Sequence, residues 1–198
     1  MKLAFFGAFN PPTVAHLDLA WFALEATRAE QVIFVPSKAV YIRGEQGKDF
    51  AYTDAERLAM LRKAAESRPW MAVTDWEMRQ ARQPRTYETL CGLRDEGCPA
   101  KLLMGSDKLP ELENGWLHVR EIVQEFGIVC LTRGGDECEE TIRQDPYLRT
   151  LADGIRILET PAETRGISST EVRRRIREIR RIEQELSGLV PPEIRPLL

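Results

Sequence analysis

Residues that build metal centres and disulfide frameworks are scarce in this sequence. It has two histidines and four cysteines in 198 residues. Cys91, Cys98, Cys130 and Cys138 form no C-x-x-C pair, which argues against a zinc site or a disulfide scaffold and favours a reducing compartment, the cytoplasm. No apolar run approaches the ~20 residues that cross a bilayer. The stretch 3–6 is far too short for the apolar region of a signal peptide. Positive charge is not in excess either: the formal net charge is −3, which disfavours a general nucleic-acid binder. The fingerprint G-x-G-x-x-G is missing, which disfavours a Rossmann dehydrogenase. What remains is an ordinary globular balance, 43% hydrophobic and 30% charged, of a length that suits one domain.

Short apolar runs at 3–6, 32–35, 71–74, 101–104, 128–131 and 155–158 predict strands. Helical spacing of apolar residues predicts helices over 14–29, 53–67, 86–96, 116–126 and 169–186. Strands alternating with helices imply βαβ units: a single Rossmann-like α/β domain over 1–198, mainly parallel, with helices on both faces. Its C-terminal part, from about 167 to 198, reads as helical. Segments 37–50 and 134–145 read as loops, the second of them acidic. Ligands in such sheets sit at the carboxyl ends of strands, which directs attention to the loops after Phe6, Val35, Met104 and Leu131.

Two helix starts carry phosphate chemistry. The first loop runs Gly7-Ala8-Phe9-Asn10-Pro11-Pro12-Thr13-Val14-Ala15-His16. Gly7 permits a tight turn and close approach of a ligand. Thr13 fits an N-cap, and His16 falls three residues on, where unpaired N–H groups and the helix dipole favour an anion. A capped helix with a half-buried histidine explains the same residues equally well. Near the other end stands Ile167-Ser168-Ser169-Thr170-Glu171-Val172-Arg173. Ser168 and Glu171 match the capping-box pattern, which by itself is only structural. The extra hydroxyls and Arg173 go beyond that need and suit a polyphosphate. Arg174, Arg175, Arg177, Arg180 and Arg181 read mostly as a solvated face.

This arrangement resembles the nucleotidyltransferase superfamily with HxGH and ISSTxxR motifs, and within it the nicotinate (or nicotinamide) mononucleotide adenylyltransferases. ISSTEVR at 167–173 matches in full. Met104-Gly105-Ser106-Asp107-Lys108-Leu109 followed by Trp116 is similar to the G-A-D-N-L…W segment, and 84–90 is similar to S-Y-T-x-D-T-L. The HxGH motif is here Thr13-Val14-Ala15-His16, Asn10 stands for the usual Asp, and Arg85 for the usual Tyr.

The resemblance implies transfer of AMP from ATP, with Mg²⁺, to a pyridine mononucleotide, releasing pyrophosphate in NAD biosynthesis. The substrate phosphate attacks, so positioning and electrostatics carry the catalysis. Thr13, His16 and Arg173 are the implied catalytic residues. Gly7, Phe9, His16, Gly105, Asp107, Ile167, Ser168, Ser169, Thr170 and Arg173 are implied for ATP. Asn10, Lys38, Arg85, Thr86, Trp116 and Arg133 are implied for the mononucleotide. No protein metal ligands, nucleic acid or membrane are expected, and a homo-oligomer stays open. Lys38 reads equally as an exposed loop lysine, Asp107 also as an N-cap, Trp116 also as core, and His118 as a surface helix residue. A sister phosphopantetheine or cytidylyl enzyme, a nucleotide-binding regulator without catalysis, and an RNA-binding module are the alternatives.

Overall fold

A computed structural model describes residues 1–47, 52–132, 137–161 and 168–189. Six parallel strands form one sheet in the order β3-β2-β1-β4-β5-β6. They are β1 (Lys2–Gly7), β2 (Gln31–Pro36), β3 (Met71–Val73), β4 (Ala100–Gly105), β5 (Ile128–Leu131) and β6 (Ile155–Leu158). The strands are apolar almost without interruption because both faces of a parallel sheet are covered.

Alternation along each strand splits its side chains between two layers. Ala4, Ile33, Val35, Leu102, Met104 and Cys130 face one layer, which also takes Leu90 and Leu93 of helix α5 (Thr86–Asp95). Leu3, Phe5, Val32, Phe34, Leu103 and Val129 face the other. There they meet Ala20, Ala23 and Leu24 of α1 (Val14–Thr27) and Leu61 of α3 (Asp54–Ala65).

Strand order reverses between β1 and β4, since β2 lies on one side of β1 and β4 on the other. The carboxyl ends of these two strands diverge into helices on opposite faces, leaving a crevice at the switch point. This topology places the functional cleft.

Several elements differ from expectation. Segment 37–50 contains α2 (Ala39–Gly44), anchored by fully buried Ile42. Segment 134–145 contains α8 (Cys138–Gln144), whose Cys138 and Ile142 are buried. Two buried positions four apart satisfy a helix there, and the polar remainder hid it. Helix α4 (Trp76–Arg79) and α9 (Pro146–Arg149) are single turns without enough length for a periodic signal. The helix expected over 116–126 is broken. Trp116 lies in extended backbone just after α6 (Leu112–Gly115), and His118 is left-handed at φ 62°. Regular structure resumes as α7 (Val119–Glu121), followed by a wider π-type turn over Ile122–Phe126. His118 is therefore a left-handed cap rather than a helix-interior residue.

Gly92 is required by packing. A Cβ there would lie 2.0 Å from Cζ2 of Trp76, on the flat indole that joins α4 to α5. Gly92→Ala should therefore lower stability by about 1–3 kcal/mol, overpacking outweighing the ~1 kcal/mol helix-propensity gain. Urea unfolding followed by circular dichroism tests this; unchanged or higher stability would show that Trp76 moves aside at little cost.

Candidate active site

A cleft of about 990 Å³ opens at the switch point. Its floor is formed by the ends of β1 and β4, including Gly7 and Gly105. The volume lies at the upper end of the range for ligand pockets, enough for a large polar ligand.

The first wall is the loop after β1. Phe9, left-handed at φ 42° and 1% exposed, folds its ring back beneath Gly7. A Cβ at Gly7 would meet that ring at 3.0 Å, close enough that Phe9 would have to shift to admit it. Phe9 packs against Phe5, Phe34 and His16, and its side chain serves the core. The ring expected at ATP is thus taken up by core packing.

The loop's carbonyls are gripped from behind. Arg57, fully buried in α3, donates Nη1–H to Ala8 O at 2.7 Å, Nε–H to Tyr52 O, and Nη2–H to Ser37 O and to Asp54 Oδ1. Burial pulls the Arg57 pKa down, while Asp54 pushes it back up. Asn10, 1% exposed, accepts Tyr52 N–H on Oδ1 at 2.8 Å. Asn10 was expected to touch substrate; the contacts seen here tie its side chain and its carbonyl to neighbouring backbone and to Arg173.

Thr13 N–H donates to His16 Nδ1 at 3.0 Å, and the Thr13 hydroxyl lies 2.7 Å from the same nitrogen. An Nδ1 that accepts a backbone N–H is unprotonated in neutral imidazole, so the proton sits on Nε2. His16 lines the cleft. Thr13, expected to hold phosphate, is 7% exposed and orients the imidazole instead.

The last helix, α10 (Ser169–Leu189), begins against this loop. Ser169 Oγ–H donates to Pro11 O at 2.8 Å. Arg173, 9% exposed, donates Nη1–H to Asn10 O at 2.6 Å and Nη2–H to Thr170 Oγ1 at 3.1 Å. His16, Ser169, Thr170 and Arg173 all line the one cleft. The helix starts of α1 and α10, 155 residues apart in the chain, thus converge. Ser168 accepts Glu171 N–H at 3.1 Å as a cap, but Glu171 turns to Arg174 and Arg175, so the reciprocal half of the box is absent. Ile167 and Arg133 lie outside the described residues.

The second wall comes from the start of α5 and the segments after β4. Arg85, Thr86, Asp107 and Trp116 line it, with His118 stacked on Tyr87 at 5.1 Å. Arg82 is spent on Glu88 through two contacts of 2.6 and 2.9 Å. Arg82 and the Arg85 backbone N–H hold the Glu88 carboxyl down at about 2. Asp107 sits in a 3₁₀ turn (Ser106–Glu111) and faces the cleft half exposed. Lys38 does not line the cleft: its ammonium donates to Met78 O and Gln80 O at 2.8 and 2.6 Å.

Sequence reasoning missed Arg57 and Glu77. Arg57 and Leu61 are the buried residues of α3, an arginine at a core spacing, which was the available signal. Glu77 hides in the one-turn helix α4, where no pattern marks it.

The fold and the cleft define an α/β domain in which two helix starts meet at a topological switch point. A family profile described as Cytidylyltransferase-like matches residues 4–175. A protein of Carboxydothermus hydrogenoformans named "Probable nicotinate-nucleotide adenylyltransferase" is 31% identical over 96% of this chain and 90% of its own length. A Caenorhabditis elegans protein named "Nicotinamide/nicotinic acid mononucleotide adenylyltransferase 2" is 29% identical over 84% of this chain and 82% of its own. The structure of Plasmodium falciparum nicotinic acid mononucleotide adenylyltransferase complexed with APC superposes with a TM-score of 0.65 at 16% identity, covering 87% of this chain and 82% of that one, a likeness of fold. The chain belongs to the cytidylyltransferase-like family of nucleotidyltransferases.

Burial raises the Glu77 carboxyl from 4.5 to about 7 against the opposing pull of Gln83, Thr89 and Lys38. Below pH 4.5 the group is protonated folded and unfolded. Between 4.5 and about 7 only the native state keeps the proton, so stability falls as pH rises, by about 3 kcal/mol in all. The unfolding free energy of wild type relative to Glu77→Gln should accordingly decline across that window. Denaturant titrations at several pH values measure it, and a flat difference would contradict the buried-carboxylate account.

Proposed function

We propose that this protein transfers AMP from ATP to a pyridine mononucleotide, nicotinate or nicotinamide mononucleotide, forming the dinucleotide and pyrophosphate. The observation that carries the proposal is the convergence of His16 with Ser169, Thr170 and Arg173 on one cleft. A triphosphate needs several donors aimed at one place, and these supply an imidazole N–H, the Thr170 hydroxyl, a guanidinium and two helix dipoles, with Ser169 fixing the second helix start to Pro11 O.

The attacking group is the mononucleotide phosphate, so no side-chain nucleophile is required. The bond from the α-phosphorus to the bridging oxygen breaks as the new P–O bond forms, and the β- and γ-phosphates leave as pyrophosphate. His16 Nε2–H, fixed in tautomer by Thr13, donates to the phosphate oxygens as charge builds in the transition state. Thr170, Arg173 and the N–H groups at the start of α10 hold the departing phosphates, and Ser169 ties that helix start to the first loop. Mg²⁺ enters with ATP as part of the substrate, bound through phosphate oxygens and water. Gly7 and Gly105 let nucleotide approach the strand ends, and Asp107 faces its ribose.

On the opposite wall Trp116 offers a flat face to the pyridine ring, and Thr86 offers its hydroxyl to the ring's carboxyl or amide. Arg85 adds a guanidinium that makes no ion pair among the described residues. A carboxylate on the ring gains from that charge and an amide does not, which favours nicotinate mononucleotide.

Purified protein with MgATP and nicotinate mononucleotide should release pyrophosphate and form the dinucleotide, read by chromatography. No turnover with either pyridine mononucleotide, beside turnover of phosphopantetheine or a cytidylyl substrate, would replace the assignment with that sister activity. His16→Ala should lower kcat at least ~10²-fold, the usual loss for a transition-state donor. A wild-type rate in that variant would make His16 purely structural.

A further inference from the structure

The segment between α4 and α5 brings Arg82, Gln83, Pro84 and Arg85 to the cleft without helix or strand of its own. A buried carboxylate holds it. Glu77 is 2% exposed. Its Oε2 accepts Gln83 Nε2–H at 2.6 Å, and its Oε1 accepts the hydroxyl of fully buried Thr89 at 2.9 Å. One carboxylate thereby spans the segment, with Gln83 ahead of the α5 start and Thr89 behind it.

Further bonds extend outward from that pair. Gln83 Oε1 accepts Lys38 N–H at 2.8 Å, and the Lys38 ammonium returns to Met78 O and Gln80 O. The neighbouring Ser37 carbonyl accepts from Arg57, which also holds Ala8 O in the first loop. A continuous chain of hydrogen bonds therefore runs from the ring-binding wall to the phosphate-binding loop.

Such a carboxylate is costly to bury, and an apolar residue of equal volume would fold at lower cost. What the carboxylate adds is direction: two short acceptor bonds that fix where Gln83, Arg85 and Thr86 stand. We infer that Glu77 is a positioning residue that sets the mononucleotide wall of the cleft through Gln83 and Thr89. The inference rests on the functional reading above.

Steady-state kinetics on the full chain test it. Glu77→Ala should raise KM for nicotinate mononucleotide at least ~10-fold and leave KM for ATP within about 2-fold, a split that general destabilisation would not give. Glu77→Gln, which still offers one carbonyl acceptor, should recover most of the loss. If Glu77→Ala does not fold, Gln83→Ala removes the same link from a partly exposed position and should show the same split. Equal rises in both KM values, or lowered Tm with neither KM changed, would overturn the inference. Absence of wild-type turnover with a pyridine mononucleotide would instead overturn the functional reading and this one with it.

Discussion

The structure depends on how the loop after the first strand is clamped. Three carbonyls in four residues are held from outside: Ala8 by Arg57, Asn10 by Arg173 and Pro11 by Ser169. Pro11 and Pro12 have no N–H to lend to a local turn, so the loop cannot hold itself by backbone bonds alone. It borrows its shape from α3 on one side and α10 on the other. Two of the donors are buried guanidinium groups. Their desolvation is compensated only because each finds several oxygens, which makes the arrangement sharply defined in geometry.

That clamp has a functional consequence. Arg173 and Ser169 contact the first loop and line the cleft at once, so the end of the chain completes the site begun by its first residues. His16 is aimed by the same economy: the backbone and hydroxyl of Thr13 fix its Nδ1 and thereby its tautomer. Positioning of this kind suits a reaction whose nucleophile comes with the substrate, because the protein contributes orientation and fixed dipoles.

The two walls of the cleft are built differently. The wall made by the first loop and the start of α10 is held by bonds to backbone carbonyls. The opposite wall is carried by a segment without regular structure, pinned by Glu77 and by the Lys38 ammonium. Surface ion pairs such as Arg82–Glu88 add little energy in water, so the buried anchors decide the position of that wall.

Much of this was legible in the residues themselves. Uninterrupted apolar runs fix the parallel sheet, because both of its faces must be covered. The Thr13/His16 and 168–173 patterns mark two anion-seeking helix starts, since capping chemistry is local. Local pattern could not show where those starts lie in space, nor that Thr13 serves His16, that Lys38 binds carbonyls, or that Phe9 is core. Nor could it find Arg57 and Glu77, because Arg57 reaches Ala8 and Ser37, 49 and 20 residues away, and Glu77 reaches Gln83 and Thr89, 6 and 12 residues away. The sequence by itself determined the six strands, the longest helices and the capping chemistry of the two helix-start motifs, because those rest on neighbours two to four residues apart. Only the tertiary structure decided which polar groups face the cleft and which are consumed in holding it, because buried donors and acceptors are satisfied by whatever the fold brings within about 3 Å.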